Sequence, residues 1–502
     1  PYLAFRQRHK LSHANIFADK SYKNSANGVN FKLYQGYTPV HFQFSKIVEY
    51  VHSPDWYYNV EYEKERMRGY DFLEDLLVPG FFEFELKKGE SAFLSISTEE
   101  INPRSISRIF KKEVEQRPLR DNFRASLENA AGQFINKRGG NTDIVAGYPW
   151  FEVLARDAFI SLPGLTLSTG NPDLAKSVLN TMTKRLNGAF FPVIGSDRQE
   201  PSPSIDASLW YIWAVQQYAY YTEKYAEVWR NYGSKIKTIL EEYKNGTEFN
   251  IKMHENGLIS GGVQGMAITW MDAISEGKAV TPRIGMPVEV NALWYNAISF
   301  FVELAEKKET KIDLSIWKDV LDKIRASFTY TFWDDKKAYL ADYVDGDHKN
   351  WNIRPNMILV ASLPYSPVSD MIKAAVVKKV KEELLTTRGL RTLSPNHPDY
   401  QGAYVGDQNS RDKAYHQGTV WPWLFGHYAE AYLKIRKKAG INKIEDYLKH
   451  YEESIYEHGI GTIPQVFDGD PPHTAKGGIS YACSVGEILR IHSIMENIKK
   501  DK

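Results

Sequence analysis

The sequence predicts a mainly α protein, an α/α toroid spanning residues 106–502, preceded by an N-terminal β-sandwich domain of residues 1–105. Three observations predict it. The apolar period is close to two up to about residue 100 and becomes helical after about residue 105. Amphipathic helical stretches then recur to the end of the chain. The motifs rich in Gly, Pro and aromatic residues fall in the loops between them, as expected where ligand sits at one end of a helical barrel.

In the first region, residues 29–34, 41–44 and 81–86 alternate apolar with polar side chains and read as half-buried strands. Lys88-Gly89-Glu90 turns the chain into a further strand over residues 92–97. Several short strands joined by loops favour a sandwich. In the second region, residues 223–243, 292–308, 316–332, 372–385, 444–458 and 479–497 read as helices with one apolar face. A helical solenoid is the architectural alternative.

A chain of 502 residues exceeds one ordinary core, and 43% hydrophobic with 25% charged residues is the balance of a globular protein. The net charge of +1 leaves no basic excess for a phosphate backbone, so nucleic acid is not an expected partner. No run of about 18 apolar residues is present to span a membrane. The single cysteine, Cys483, forms no internal disulfide, and no Cys/His cluster has zinc spacing. The chain opens at Pro1 without an initiator methionine, which predicts a fragment whose β domain is truncated at its start.

Candidate chemistry centres on Asp272, which follows Trp270 in the apolar stretch Met266–Met271. A carboxyl against an indole and away from water has its charged form disfavoured, as a general acid requires. A capping Asp at a helix start is the competing reading. Arg156 and Asp157 are adjacent at the head of an apolar helix, where a guanidinium donates and a carboxylate accepts hydroxyl hydrogen bonds; a pair that only fixes the helix start reads equally well. Trp150 just before them, with Trp270 and Trp421, offers flat faces on which a sugar ring stacks. Glu289 heads another helix, where the dipole favours it, and either holds a sugar or orients Asp272. His416 lies in a Gly- and Pro-punctuated loop as a candidate hydroxyl binder. Asp468, Asp470 and His473 read as turn chemistry rather than a metal site.

Taken in order along the chain, these motifs resemble the bacterial and archaeal glycogen debranching enzymes of the amylo-α-1,6-glucosidase type. Tyr50-Val51-His52-Ser53-Pro54-Asp55-Trp56 and Pro79-Gly80-Phe81-Phe82-Glu83-Phe84 resemble that family's N-terminal β domain. Ala146-Gly147-Tyr148-Pro149-Trp150, Ala155-Arg156-Asp157, Thr269-Trp270-Met271-Asp272, Pro287-Val288-Glu289-Val290-Asn291, Arg354-Pro355-Asn356 and the run from Tyr415 to Trp423 resemble its catalytic part. The resemblance implies an α/α six-barrel toroid that hydrolyses α-1,6-linked glucose at branch stubs of glycogen or limit dextrin with inversion. It implies Asp272 as general acid, with Arg156 and Asp157 holding the terminal glucose. It places the general base at the position occupied here by Gln465, and an amide takes no proton from water. An engineered Glu→Gln exchange and natural divergence both remain open; Cys483, where the family carries tryptophan, gives weight to the second.

The reading is therefore a debranching-type glycoside hydrolase impaired at Gln465. The alternatives are a catalytically inactive glucan-binding paralogue and a toroid α-glucosidase with another linkage preference. No cofactor and no metal is expected, since acid, base and water suffice. The expected partner is a branched α-glucan or oligosaccharide. A cytoplasmic location follows from glycogen as implied substrate and the lack of disulfides.

Overall fold

The computed structural model describes residues 1–7, 10–192 and 204–500. The chain divides into two compact units, Pro1–Leu119 with Val405–Gln408, and Arg120–Tyr404 with Asn409–Lys502. The division thus falls beyond residue 105, and the helix Pro103–Gln116 belongs with the first unit.

The first unit is antiparallel β. Strands β1 (Lys23–Ser25), β2 (Gly28–Phe31), β3 (Val40–Phe44), β4 (Glu49–Glu61), β5 (Leu73–Glu83) and β6 (Leu94–Ser97) make a four-stranded sheet in the order β1-β2-β3-β6 and a long β4-β5 ladder. Val29 lies opposite Phe42 across β2-β3, and Trp56 opposite Leu77 across β4-β5. Those four side chains join Leu3 and Phe31 in one hydrophobic cluster shared by sheet and ladder. The strands anticipated at residues 29–34, 41–44, 81–86 and 92–97 all meet observed strands. β1 and the thirteen-residue β4 were not anticipated. In β4 the buried Trp56 stands among exposed neighbours, and two register shifts interrupt the alternation that reveals a strand in sequence.

The second unit is built on helices α1 (Ala155–Leu162), α2 (Ala207–Thr222), α3 (Val288–Lys307), α4 (Ile358–Ser362), α5 (Pro422–Arg436) and α6 (Ala482–Lys500). α1 packs on α2, α2 on α3, α3 on α4, α4 on α5, α5 on α6, and α6 on α1. These helices are buried over most of their leading residues: every residue of α2 from Ala207 to Gln216 is buried, and so is all of α4. Helices with one exposed face pack outside them, including Pro172–Arg185 on α2, Ser315–Phe332 on α3, Asp370–Glu383 on α4 and α5, and Phe123–Gln133 on α6. The contact of α6 with the turn that extends α1 is backbone to backbone. A Cβ at Gly164 would strike the carbonyl of Gly486, so only glycine fits there.

Candidate active site

The starts of all six helices α1–α6 are tied together by named side chains. Arg156 and Asp157 lie in the first turn of α1, Asp206 is the N-cap of α2, and Glu289 is the second residue of α3. Asn356 lies two residues before α4 in a short 3₁₀ turn, Trp421 caps α5, and Tyr481 directly precedes α6. A helix N-terminus presents unpaired N–H groups and a partial positive charge, which favours the carboxylates of Asp157, Asp206 and Glu289 there.

Asp272 arrives on the loop before α3. Its Oδ2 accepts from Arg156 Nη1 at 2.9 Å. Arg156 is itself held by Asp206, with Nε 3.0 Å from both carboxylate oxygens, and by Ser204 Oγ at 3.1 Å. Ser204 Oγ donates in turn to Asp206 Oδ1 at 2.7 Å. Asp206 makes no capping bond to its own helix, so its side chain is turned wholly to this cluster. Neither Asp206 nor Ser204 was singled out from sequence. A Ser-x-Asp pattern at the head of an apolar helix was the available signal, and it reads as an ordinary cap.

Asp272 combines an open face with deep surroundings. About half of its side-chain surface, 47%, is accessible. The density of protein around it nevertheless disfavours its charge more than Arg156 favours it, so its pKa is raised above the ordinary 3.8. Asp157 is buried, and burial raises its pKa as well. Tyr481 Oη donates to Asp157 Oδ1, and Cys483 Sγ lies 3.4 Å from the Asp157 carbonyl oxygen.

Trp270 is at the centre of a ring cluster. His416, Trp421 and Trp423 meet it edge-on at centroid distances of 5.3, 5.6 and 5.3 Å. Its Nε1 donates to Asn356 Oδ1 at 2.7 Å. Asn356 Nδ2 donates to Asp342 Oδ1 at 2.6 Å, and Asp342 is paired with Arg283. Arg283 also binds Glu289 through both terminal nitrogens. Glu289 is therefore 1% exposed inside an ion cluster, a setting unlike the sugar-facing one read from sequence. A buried carboxylate needs such a cationic partner, and burial still raises its pKa.

His416 is fully buried and stacked on Trp421 at 5.5 Å. Burial first, then the cations of Arg354, Arg156 and Arg283, hold its pKa well below the ordinary range. Both ring nitrogens lack a hydrogen-bond partner among the described residues. Trp421 is 4% exposed, with Nε1 directed to the Tyr415 carbonyl and Thr419 Oγ1, so it forms wall rather than open platform. Trp150 is half-buried in the loop before α1, with its ring 6.4 Å from that of Phe151.

Gln465 is 2% exposed. Its Oε1 accepts from the Gly478 N–H at 3.1 Å, and its Nε2 donates to Tyr415 Oη. Of the neighbouring carboxylates, Glu487 is fully buried against Arg490, and Asp470 accepts from Tyr400 Oη at 2.9 Å. Asp468 accepts the Tyr404 N–H at 2.7 Å and lies 3.7 Å from Lys476. Among the described residues, no group of three or more His, Cys, Asp or Glu is placed to hold a metal ion, and no helix is long and apolar enough to cross a membrane.

The sequence matches the family model described as amylo-alpha-1,6-glucosidase over residues 129–490, and that described as glycogen debranching enzyme N terminal over residues 1–93. A curated relative, the glycogen debranching enzyme of Saccharomyces cerevisiae (strain ATCC 204508 / S288c), is 26% identical over 386 residues, which takes in 58% of this chain and 25% of the relative. The chain thus spans about a quarter of the length of that relative.

Proposed function

The chain belongs to the amylo-α-1,6-glucosidase family of glycoside hydrolases found in glycogen debranching enzymes, and from that premise we propose that it binds branched α-glucan and is built to release α-1,6-linked glucose from branch stubs by inverting hydrolysis. The observation that carries this reading is Asp272: an open carboxyl, raised in pKa and gripped by Arg156, where the starts of six helices are linked. We read those six helices, each touching the next and the last touching the first, as the inner ring of an α/α toroid, and the N-terminal β unit as a sandwich.

In the reaction, protonated Asp272 gives its proton to the leaving glycosidic oxygen as the C1–O bond breaks. Water attacks C1 from the opposite face, and a base removes one of its protons. Arg156 stabilises the carboxylate left on Asp272. In an inverting enzyme the base carboxyl stands roughly 6.5–9.5 Å from the acid to leave room for water. Position 465 is our assignment for that base. Gln465 orients water by hydrogen bonding but accepts no proton, and loss of base assistance lowers the rate by about 10²–10⁴-fold. Trp150, Asp157, Trp270, His416 and Trp421 are assigned to the sugar site, His416 on the strength of its two unpartnered nitrogens. A glycogen-type substrate assigns the activity to the cytoplasm.

The test is glucose release from a branched limit dextrin by the chain as it stands and by its Gln465→Glu form. Release by the second alone supports both the reaction and the base assignment. Release by neither, with limit dextrin still bound in calorimetry, replaces this reading with the non-catalytic glucan binder. Fast release by the unaltered chain moves the base away from position 465.

A further inference from the structure

We propose that Tyr415 is a positioning residue for the side chain at 465: with the Gly478 amide it forms a two-point cradle suited to a carboxylate, and it aims that group at the attacking water. The catalytic consequence rests on the debranching reading above; the cradle itself does not.

The Gly478 N–H only donates, so the side chain at 465 must present an oxygen to it, as Gln465 Oε1 does at 3.1 Å. The backbone repeats the link, with Gln465 N donating to the Gly478 carbonyl at 2.9 Å. The other arm is a phenol, which both donates and accepts. It takes the Nε2 hydrogen of Gln465 as an acceptor, and it would serve a carboxylate in the same place as a donor. Neither arm of this cradle opposes a negative charge at 465; the negative charges that reach Tyr415 from nearby include Asp272, Asp157 and Asp412. Gly477 closes the third side: its φ is +65°, and a Cβ there would collide with Gln465 Oε1.

Tyr415 is equipped for the task. Its ring is fixed between Tyr404 at 5.7 Å, His416 at 4.7 Å and Trp421 at 5.0 Å. Burial, then the charges of neighbours including Asp272 and Asp157, hold the phenol well above its ordinary range, so it keeps a hydrogen to donate. Replacing the amide at 465 by a carboxylate therefore turns the Tyr415 hydroxyl from acceptor to donor. A carboxylate that accepts two hydrogen bonds is favoured in its charged form, the form a base needs.

The experiment compares Gln465→Glu with Gln465→Glu/Tyr415→Phe, using ¹³C NMR to titrate the introduced carboxyl. The expected result is a rise of about one pH unit in its pKa when the hydroxyl is removed. On limit dextrin, kcat is expected to fall about tenfold with KM within about twofold, and the acidic limb of the rate profile to move up with the carboxyl. In the chain as it stands, Tyr415→Phe is expected to shift the Gln465 side-chain amide resonance. An unchanged carboxyl pKa, or an unmoved amide resonance, overturns the proposal. If Gln465→Glu releases no glucose, the debranching reading fails, while the NMR titration still decides the cradle.

Discussion

Arg156 Nη1 lies 2.9 Å from Asp272 Oδ2. The guanidinium is shared, because Asp206 takes its Nε with both oxygens. One cation thus serves two carboxylates, with Asp157 adding a third negative charge nearby. Burial first, and the negative charge of Asp206 after it, leaves an acid that holds its proton more tightly than a free Asp although an arginine touches it.

Asp272→Asn in the Gln465→Glu background is expected to lower glucose release by at least about 10²-fold, since no proton reaches the leaving oxygen. It is also expected to remove a pH-dependent cost to stability. The folded pKa of Asp272 is raised, so the folded state binds this proton more tightly than the unfolded chain. Stability is then complete below the ordinary value of 3.8 and falls as pH rises through the folded pKa. Tm compared with and without Asn across that window checks the sign: the variant gains relative to the parent as pH rises.

Asp206→Asn is expected to leave Arg156 acting more fully on Asp272. That lowers the pKa of the acid, because Asp206 now raises it and Arg156 lowers it. The alkaline limb of the kcat/KM profile in the Gln465→Glu background moves to lower pH, while binding of limit dextrin persists. An alkaline limb that stays in place assigns Asp206 to packing alone.

Glu289→Ala is expected to destabilise the chain by about 3 kcal/mol, because it leaves Arg283 buried with Asp342 as its remaining carboxylate. Urea unfolding measures this. The same loss loosens Asn356 and so the Trp270 indole it holds, which a shift in tryptophan emission reports.

Gly477→Ala is expected to cost about 1–2 kcal/mol from its left-handed backbone alone, and to push the side chain of Gln465 from its cradle. In the Gln465→Glu background it lowers kcat more than it raises KM, as steady-state kinetics on limit dextrin would register.

Two of the outer helices were legible because each has one wet face, whereas Phe123–Gln133 and Pro172–Arg185 were not read from the sequence. Residues 316–332 show the helical period, and the observed helix is Ser315–Phe332; residues 372–385 answer to Asp370–Glu383 in the same way. α2 was not legible, since a helix buried on nearly every side loses the periodic contrast that reveals it. Asp206 was hidden for the same reason: it heads the helix whose pattern is least visible.

At the site, the residue types of Asp272, Arg156, Trp270 and Gln465 and their family motifs were readable along the chain. Which group touches which was not. Local sequence left Arg156 and Asp157 as either a sugar clamp or a pair fixing a helix start; in the fold Arg156 is engaged by Asp206, Asp272 and Ser204, and Asp157 accepts from Tyr481 and lies beside Cys483. Glu289 sat equally well in sequence as a sugar ligand, and only the arrival of Arg283 and Asp342 made it part of a buried ion cluster. By itself the sequence determined the family and offered a candidate acid and a candidate base position at Gln465, because these depend on residue type within short motifs. The tertiary structure decided the partners of every charge, because a buried charge settles on whichever counter-charge the packed helices bring within reach, however distant in sequence.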